Sequence, residues 1–360
     1  MRTIHLGRVS IPRSLSVFHA VAKVAKSADE MVLVSSTPAG PFVSVGYHQL
    51  ARRELNIPYC ESHGIPVARR LVGGGAVLLD SHQTFWHLIM PGAHAAIRDL
   101  YNALMPAPVA AYQRFGVNAE HRPLNDLIVG QKKIGGTGAA TIAESLVFVG
   151  SWMFDFNREL MGHVLNVPSE KFRDKTIESL RDYMTTMKDE LGENNLPSSE
   201  EAMNVLTEEF VNLLDSPAHA DHLTEEEEAE SERLTHKLFD PQFVFQNEGW
   251  TTLGRKIRDG VYLYEGLYKT PTGLIRMIWL EQDKWIENIW LGGDLLIDPQ
   301  DGLSRLGADL TRERFLVSEL ADRLAASFAA VPLTGLTPSD LLEAYKHRLS
   351  LVPEDSASMK

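Results

Sequence analysis

The pattern of hydrophobic and polar positions predicts alternating helices and strands in the first part of the chain. Apolar residues at helical spacing predict a helix over 15–26, with Ser14 or Ser16 as its N-cap. Residues 31–47 predict two strands joined by a Pro/Gly turn. A helix weakened by its internal proline is predicted over 52–62. Strand-like sequences then lie on both sides of a triple glycine.

The second part begins helical and then turns to strands. Residues 169–214 predict helices, the second of them capped by Ser198 or Ser199. Five glutamates between Glu225 and Glu230 read as a solvated helix start or connector. Three alternating strands and a set of helices follow, so we predict two domains, 1–242 and 243–360.

Composition changes this picture little. With 360 residues and roughly 150 per domain, two domains are the default. Hydrophobic residues make up 44%, enough for a buried core. The net charge of −13 argues against a nucleic-acid partner. The start of the chain lacks the apolar core of a signal peptide, and prolines and glycines interrupt the charge-free stretch 31–51. We therefore expect a cytoplasmic protein without a membrane partner.

The first chemistry-bearing segment has two arginines directly before the triple glycine. Glycines let backbone N–H groups approach an anion, and arginines suit phosphate or carboxylate. The alternative is a glycine-rich bend with surface arginines. The segment matches neither a Walker loop nor a Rossmann fingerprint. It comprises Arg69, Arg70, Leu71, Val72, Gly73, Gly74, Gly75, Ala76, Val77, Leu78, Leu79 and Asp80.

The second segment places a carboxylate seven residues before a lysine. Asp126 could bind Mg²⁺ through oxygen, which this hard cation prefers. Lys133 could pair with a carboxylate and then stabilise charge developing at phosphorus. The alternative is a plain hairpin with a charged turn. Asn125 precedes Asp126, and Gly135 follows the lysine.

Together, RR-x-x-GGG-x-V-x-x-D and NDL-x-V-x-x-KKI-x-G resemble the lipoate–protein ligases of the biotin/lipoate ligase and octanoyltransferase superfamily. The segment Val45 to Gln49 is similar to a family strand that lines the lipoyl pocket. The resemblance implies an α+β fold, with a mixed or antiparallel sheet and flanking helices, plus a smaller α+β accessory domain. It also implies that this second domain assists adenylation and moves between the two half-reactions.

The implied reaction joins lipoate to a protein in two steps. Lipoate and MgATP give lipoyl-AMP and pyrophosphate, and a lysine of an acceptor protein then takes the lipoyl group. By resemblance, Lys133 is the catalytic residue, and Asp126 holds the metal. The residues that the resemblance implies as contacts of the nucleotide are Arg70, Gly73, Gly74, Gly75, Ala76, Val77, Leu78, Asn125, Asp126, Lys133 and Gly135. Lipoate contacts fall to Gly46, Tyr47, Arg70, Lys133 and Gly150. The enzyme is expected to act as a monomer on a lipoyl-domain or other lipoate-binding acceptor.

The sequence departs from the family pattern in two strands. Asp80 is followed by Ser-His-Gln, and Val149 stands where the family strand has a histidine. Preference for lipoate or octanoate therefore stays open.

Three alternatives remain. The first, a transferase, needs a cysteine nucleophile, but the lone Cys60 lies 73 positions before Lys133 and outside the matching positions. The second, a biotin ligase, would carry a different Arg/Gly loop. The third is a non-catalytic lipoate-binding regulator.

Overall fold

A computed structural model describes residues 1–166, 170–250 and 261–350, without the side chains at 97, 170–175 and 349–350. Over these ranges the chain has the predicted mixed α+β class. Sheets of six and five strands form the two main layers, and two sheets of three strands accompany the first. None of the helices described is long and apolar enough to span a bilayer.

The strands are β1 (Arg2–Val9), β2 (Val32–Pro38), β3 (Phe42–Val45), β4 (Val67–Arg69), β5 (Val77–Leu79), β6 (Gln83–Pro91), β7 (Ala119–Arg122), β8 (Asp126–Val129), β9 (Lys132–Gly136), β10 (Gly138–Ile142), β11 (Ser145–Met153), β12 (His219–Ala220), β13 (Val261–Thr270), β14 (Gly273–Gln282), β15 (Trp285–Gly293), β16 (Phe315–Leu316) and β17 (Arg348–Ser350).

The α-helices are α1 (Ile11–Val24), α2 (Ala51–Glu54), α3 (Ile57–Ser62), α4 (Ile97–Leu104), α5 (Pro106–Arg114), α6 (Arg158–Val164), α7 (Glu170–Tyr183), α8 (Met187–Leu191), α9 (Ser199–Leu214), α10 (Glu225–Phe239), α11 (Pro241–Val244), α12 (Gly302–Leu310), α13 (Leu320–Ala330) and α14 (Pro338–Lys346).

The six-stranded sheet has the order β10-β11-β6-β2-β1-β12 and is covered on both faces. Helices α4, α5 and α9 pack on one face around Trp86 and Phe148. Helices α1 and α10 pack on the other face around Val34 and Ile89. Because both faces are buried, the central strands are apolar almost throughout.

Helix α1 begins earlier than the sequence suggested. It starts at Ile11 after Ser10, with Pro12 in its first turn, where a fixed φ and a missing N–H are tolerated. The predicted cap was therefore wrong: Ser14 and Ser16 are buried inside the helix. The Ser16 hydroxyl instead lies 2.8 Å from that of Ser231 on α10.

The predicted strands at 31–47 are confirmed as β2 and β3, but they belong to different sheets. The Pro/Gly turn carries the chain from the large sheet to the small sheet β4-β3-β5. Strand β3 is the centre of that sheet, parallel to β4 and antiparallel to β5. The triple glycine therefore connects the two outer strands of the small sheet.

The glutamate run has a structural role that the sequence did not suggest. Thr224 caps α10 in a capping box with Glu227, as expected of a helix start. Glu227 is nevertheless only 3% exposed and receives hydrogen bonds from Arg2 at 2.9 and 3.1 Å. Glu228 receives two bonds of 2.7 Å from Arg13. The predicted helix start was thus confirmed. Its predicted solvation was wrong for Glu227, whose buried carboxylate binds the first strand, and Glu228 binds the first helix.

The second main sheet begins at β13 and is a meander of long antiparallel strands. Helices α12, α13 and α14 pack on it around Met277, Leu306 and Leu341. The division at 242/243 stays a prediction, since α11 straddles it and packs on the first unit.

The first unit is built on the six-stranded sheet, and the accessory unit is built on the five-stranded sheet of residues 261–350. The two units are held together by charged and backbone contacts. Arg276 of β14 pairs with Glu265 of β13 and, at 3.4 Å, with Glu54 of α2. Burial raises the pKa of Glu54 and lowers that of Arg276. Gly293 donates its N–H to the carbonyl of His48 at 2.9 Å. The accessory unit thus sits against the segment that follows β3.

Candidate active site

The glycine-rich turn between β4 and β5 is held from inside by Arg70. Its guanidinium donates to the carbonyls of Ser44 at 3.0 Å, Gly73 at 2.7 Å and Gly75 at 2.7 Å. Burial lowers the pKa of Arg70 to about 10. The sequence placed this arginine on a nucleotide or on lipoate. In this conformation it shapes the turn, and direct contact with a ligand stays a prediction.

Arg69 is also a buried structural residue and has no exposed surface. It donates to carbonyls of the segment after β3, among them Tyr47 at 2.9 Å, and to that of Val244 in α11 at 2.5 Å. Burial lowers its pKa to about 10. The two arginines therefore join the turn, the following segment and α11 into one framework.

The outer side of the turn touches the accessory unit. Gly74 has a φ of +85° and donates its N–H to the carbonyl of Leu295 at 3.1 Å. A Cβ on Gly73 would lie 2.3 Å from the same oxygen. Only glycine fits here, because its lack of a side chain lets two main chains meet.

A buried histidine fixes the start of the turn. His19 of α1 accepts a hydrogen bond at Nε2 from the N–H of Leu71 at 3.0 Å, and its Nδ1 lies 2.7 Å from the carbonyl of Leu15. Burial lowers the pKa of His19 to about 3, so the ring is neutral. Sequence reasoning missed this residue, because a histidine inside an apolar helix carries no motif.

The hairpin of β8 and β9 brings Lys133 onto Asp126. Strand register pairs Asp126 with Gly136, and the Lys133 Nζ lies 2.9 Å from the place of a Cβ on Gly136. The ammonium therefore reaches the Asp126 Oδ1 at 2.6 Å. Burial favours the neutral acid, but Lys133 and Arg122 outweigh it and lower the pKa of Asp126.

Arg122 and Tyr183 complete this cluster, and neither was assigned to the site from the sequence. Arg122 donates to the Asp126 Oδ2 at 2.7 Å and to the Tyr183 hydroxyl at 2.7 Å. Its guanidinium lies 5.5 Å from the centre of the Tyr183 ring. The sequence evidence for these two residues was weak, because Arg122 lies outside the quoted motif and Tyr183 is at the end of α7.

Asn125 and Gly135 support the hairpin. The Asn125 side chain donates to the carbonyl of Thr137 at 2.6 Å, and Thr137 returns two bonds to the Asn125 carbonyl. Gly135 lies beside the buried Leu127. Both predicted nucleotide contacts thus lie within the framework that carries Lys133.

Gly46 and Tyr47 lie between the turn and the accessory unit. A Cβ on Gly46 would be 1.9 Å from the carbonyl of Gly74. Tyr47 lines a cavity of about 460 Å³ between the two units, together with Trp290 and Gln300. Gln300 also donates to the carbonyl of Leu71.

Gly150 lies in the sheet, where a Cβ would overlap the ring of Trp86. Its neighbour Val149 pairs across the sheet with His87. The His87 ring stacks on Phe18 at 3.9 Å, and its Nδ1 has no hydrogen-bond partner in the described residues. Burial lowers the pKa of His87 well below its usual value. A neutral histidine thus lies opposite the position where the sequence lacks one.

The donor set for a metal is small. No group of three or more His, Cys, Asp or Glu side chains suited to a metal ion occurs in the ranges described. Both Asp126 oxygens contact cations. Mg²⁺ commonly takes one or two carboxylates, several waters and substrate phosphates. Asp126 therefore fits only an ion that arrives with a nucleotide.

Cys60 is remote from this chemistry. The thiol is on α3, is completely buried and packs with Val43, Val45 and Ile57. Burial raises its pKa to about 11, so it stays protonated at neutral pH.

The residues of this site lie within a domain that is shared with known proteins. Residues 16–211 match the model of the lipoyl protein ligase A/B catalytic domain, which is more than half of the chain. The chain belongs to this family. The match includes the glycine-rich turn, the Asp126–Lys133 hairpin and Tyr183.

Relatives of both activities occur within the family. Lipoate-protein ligase A subunit 1 of Thermoplasma acidophilum is 28% identical over 218 residues, covering 58% of this chain and 79% of the relative. Octanoyltransferase LipM of Kyrpidia tusciae is 25% identical over 274 residues, covering 68% and 98%. Sequence similarity to family members alone thus does not separate ligase from transferase.

Solved structures extend the likeness to the accessory unit. The T. acidophilum bipartite lipoate protein ligase, described with its E2 lipoyl domain, has a TM-score of 0.63 and 27% identity over 68% of this chain and 95% of its own. The Plasmodium falciparum LipL1 structure with lipoate has a TM-score of 0.71 at 14% identity over 96% and 99%. The second likeness concerns the fold alone, and it covers both units.

Proposed function

We propose that this protein is an ATP-dependent lipoate–protein ligase. The observation that carries the proposal is the absence of a usable thiol beside an intact Lys133–Asp126 pair. A transferase that forms a thioester needs a cysteine nucleophile near the lysine. The one cysteine of the chain is buried on α3 with a raised pKa. An adenylating ligase needs no such residue.

In the first step, a lipoate carboxylate oxygen attacks the α-phosphorus of ATP, and the bond to the pyrophosphate oxygen breaks. Lys133 stabilises the charge on the carboxylate and phosphoryl oxygens, and Asp126 orients its ammonium. Magnesium bound with the nucleotide would neutralise phosphate charge, with Asp126 as its protein ligand. We propose that the nucleotide is bound by the backbone N–H groups of residues 73–78 and by the side-chain amide of Asn125.

In the second step, the deprotonated amine of an acceptor lysine attacks the acyl carbon and releases AMP. Lys133 again faces the oxygens of the mixed anhydride. Catalysis then rests on positioning and charge stabilisation rather than on a covalent enzyme intermediate. Gly46, Tyr47 and Gly150 remain proposed contacts of lipoate. The T. acidophilum relative is described with an E2 lipoyl domain, which supports a lipoyl domain as the acceptor class.

The test is lipoate-dependent exchange of labelled pyrophosphate into ATP by the purified full chain. The ligase hypothesis predicts pyrophosphate exchange only when lipoate is present. A folded protein without exchange would refute it and favour the non-catalytic regulator.

Substitution of the cysteine separates ligase from transferase. We expect Cys60→Ser to retain exchange and acyl transfer to an apo lipoyl domain, measured by the mass of that domain. Loss of transfer in a variant with an unchanged melting temperature would support the transferase instead.

A further inference from the structure

The two neighbouring lysines of β9, Lys132 and Lys133, lie in different surroundings. Adjacent side chains of a strand point to opposite sides, so Lys133 reaches Asp126 while Lys132 points away from it. Lys132 is exposed, and its Nζ lies 3.5 Å from the carbonyl of Arg181 near the end of α7. A second cation thus lies next to the candidate catalytic lysine without being part of its ion pair.

A strip of polar side chains, with the exposed Asp182 among its cations, connects these surroundings. Asp126 bonds Arg122, Arg122 bonds the hydroxyl of Tyr183, and Tyr183 lies two residues after Arg181. Tyr183 is 46% exposed, which is unusual for a residue with a large aromatic ring. We name Arg122, Lys132, Arg181 and Tyr183 the basic rim.

The charge of the basic rim is only partly compensated. Within the described ranges, neither Lys132 nor Arg181 has a carboxylate within 4.0 Å, whereas nearby Lys188 pairs with Asp155. A cavity of about 360 Å³ opens beside them, with the cations Lys132, Arg158 and Arg181 and the single carboxylate Asp189 in its wall. Arg158 pairs with Asp189, which leaves Lys132 and Arg181 as the unpaired charges of this wall. The cavity wall thus has a local positive excess on a chain of net charge −13.

Such a surface selects its partner by charge. A protein with an excess of carboxylates repels acidic proteins in general, so an uncompensated basic strip gives orientation as well as attraction. Tyrosine and arginine are also enriched where proteins bind each other. The strip borders Lys133, where an incoming lysine must arrive.

We propose that the basic rim is the docking surface for an acidic face of the acceptor domain, beside the lysine to be modified. This rests on the proposed ligase function and adds the chemistry of its protein partner. Lys132 and Arg181 contact acceptor carboxylates, and the exposed Tyr183 ring packs against the domain between them.

The test uses Lys132→Glu with Arg181→Glu in the full chain and an apo E2 lipoyl domain with carboxylates around its lysine as the probe. The KM for this domain rises about tenfold or more, because like charges then face each other. Lipoate-dependent pyrophosphate exchange and the melting temperature stay at wild-type values. The matched control is Lys269→Glu, which makes the same change on an exposed strand residue of the accessory unit.

Two further measurements close the test. Raising the salt concentration raises the wild-type KM for the acceptor and lowers that of the double variant, because salt screens the attraction in the first and the repulsion in the second. The charge-retaining double variant Lys132→Arg with Arg181→Lys keeps the wild-type KM. A KM equal to that of the Lys269→Glu control overturns the proposal. Loss of pyrophosphate binding in calorimetry with an unchanged acceptor KM also overturns it, and assigns the cavity to phosphate.

The ligase proposal fails separately. Wild-type protein without lipoate-dependent exchange refutes the ligase, while calorimetric binding of the apo lipoyl domain to the wild type and the double variant still tests the docking surface. Equal affinities for the two proteins refute the surface.

Discussion

The Nε2 atom of His19 accepts the N–H of Leu71 at 3.0 Å and so joins helix α1 to the start of the glycine-rich turn. Leu71 is itself buried, so water does not compete for this N–H. The contact makes a helix residue part of the support of a turn more than 50 positions away.

Replacing His19 by Leu should therefore disturb the turn. A buried N–H without an acceptor costs about 1–3 kcal/mol of folding free energy. We expect a several-fold increase in the KM for ATP in the exchange assay. His19→Gln supplies an amide oxygen as acceptor and should restore that KM. The control is His87→Leu, which alters the same aromatic cluster but no bond to the turn; an equal KM increase in it would contradict the positioning role.

The buried His19 and the half-buried His48 also predict sensitivity to acid. Burial lowers the pKa of His19 to about 3 and that of His48 to about 4, below the usual value of about 6.5. The unfolded chain therefore takes up protons that the native chain does not. The resulting stability is complete above about pH 6.5 and is lost as the pH falls towards these lowered values. Urea unfolding between pH 7.5 and 4.5 should show a shallower loss for His19→Gln than for the wild type, and parallel curves would exclude the effect.

Lys133→Ala should abolish adenylation without unfolding the protein. The lysine is partly exposed, and Arg122 still pairs with Asp126 after its removal. The stability change should be about 1 kcal/mol or less. Pyrophosphate exchange should fall by about 100-fold or more, because the charge on the reacting oxygens loses its partner. Near-normal exchange would disprove the assigned role, and Lys269→Ala serves as a control for loss of a lysine.

The glutamates of α10 predict a contrast in stability. Glu227→Ala leaves Arg2 without its main partner in a nearly buried setting and should cost about 2–4 kcal/mol. Glu226→Ala, one residue away and exposed, should change stability by less than about 0.5 kcal/mol. Chemical denaturation of both variants measures the difference, and equal values would contradict the structural role of the run.

The sequence predicted what depends on local pattern. The helix over the first apolar segment, the strands on either side of the triple glycine and a serine cap of α9 are all present. Of the two serines that the sequence offered as this cap, Ser198 is the one used. The motifs also selected Lys133 and Asp126, which the hairpin brings into contact. These features follow from periodicity, capping and register over a few residues.

What the sequence did not reveal depends on residues far apart in the chain. His19 and Leu71 are brought together by packing, and Arg2 meets Glu227 across the whole first unit. Arg70 looked like a ligand contact because the burial of a charge on backbone carbonyls leaves no local pattern. Arg122 lies close to Asp126 in the chain but outside the motif, and its second partner, Tyr183, is 61 positions away.

The contact between Gly74 and Leu295 makes the accessory unit an internal competitor of any nucleotide that uses this amide. The N–H group of Gly74 cannot donate a full-strength hydrogen bond to the Leu295 carbonyl and to a phosphate oxygen at the same time. If Gly74 binds phosphate as proposed, nucleotide affinity and unit contact are thermodynamically coupled, and each opposes the other to the same extent. Loosening the contact by about 1.4 kcal/mol would then raise the apparent affinity for ATP by up to about tenfold. The strength of an interface outside the catalytic family domain would thus set the nucleotide concentration at which the enzyme works.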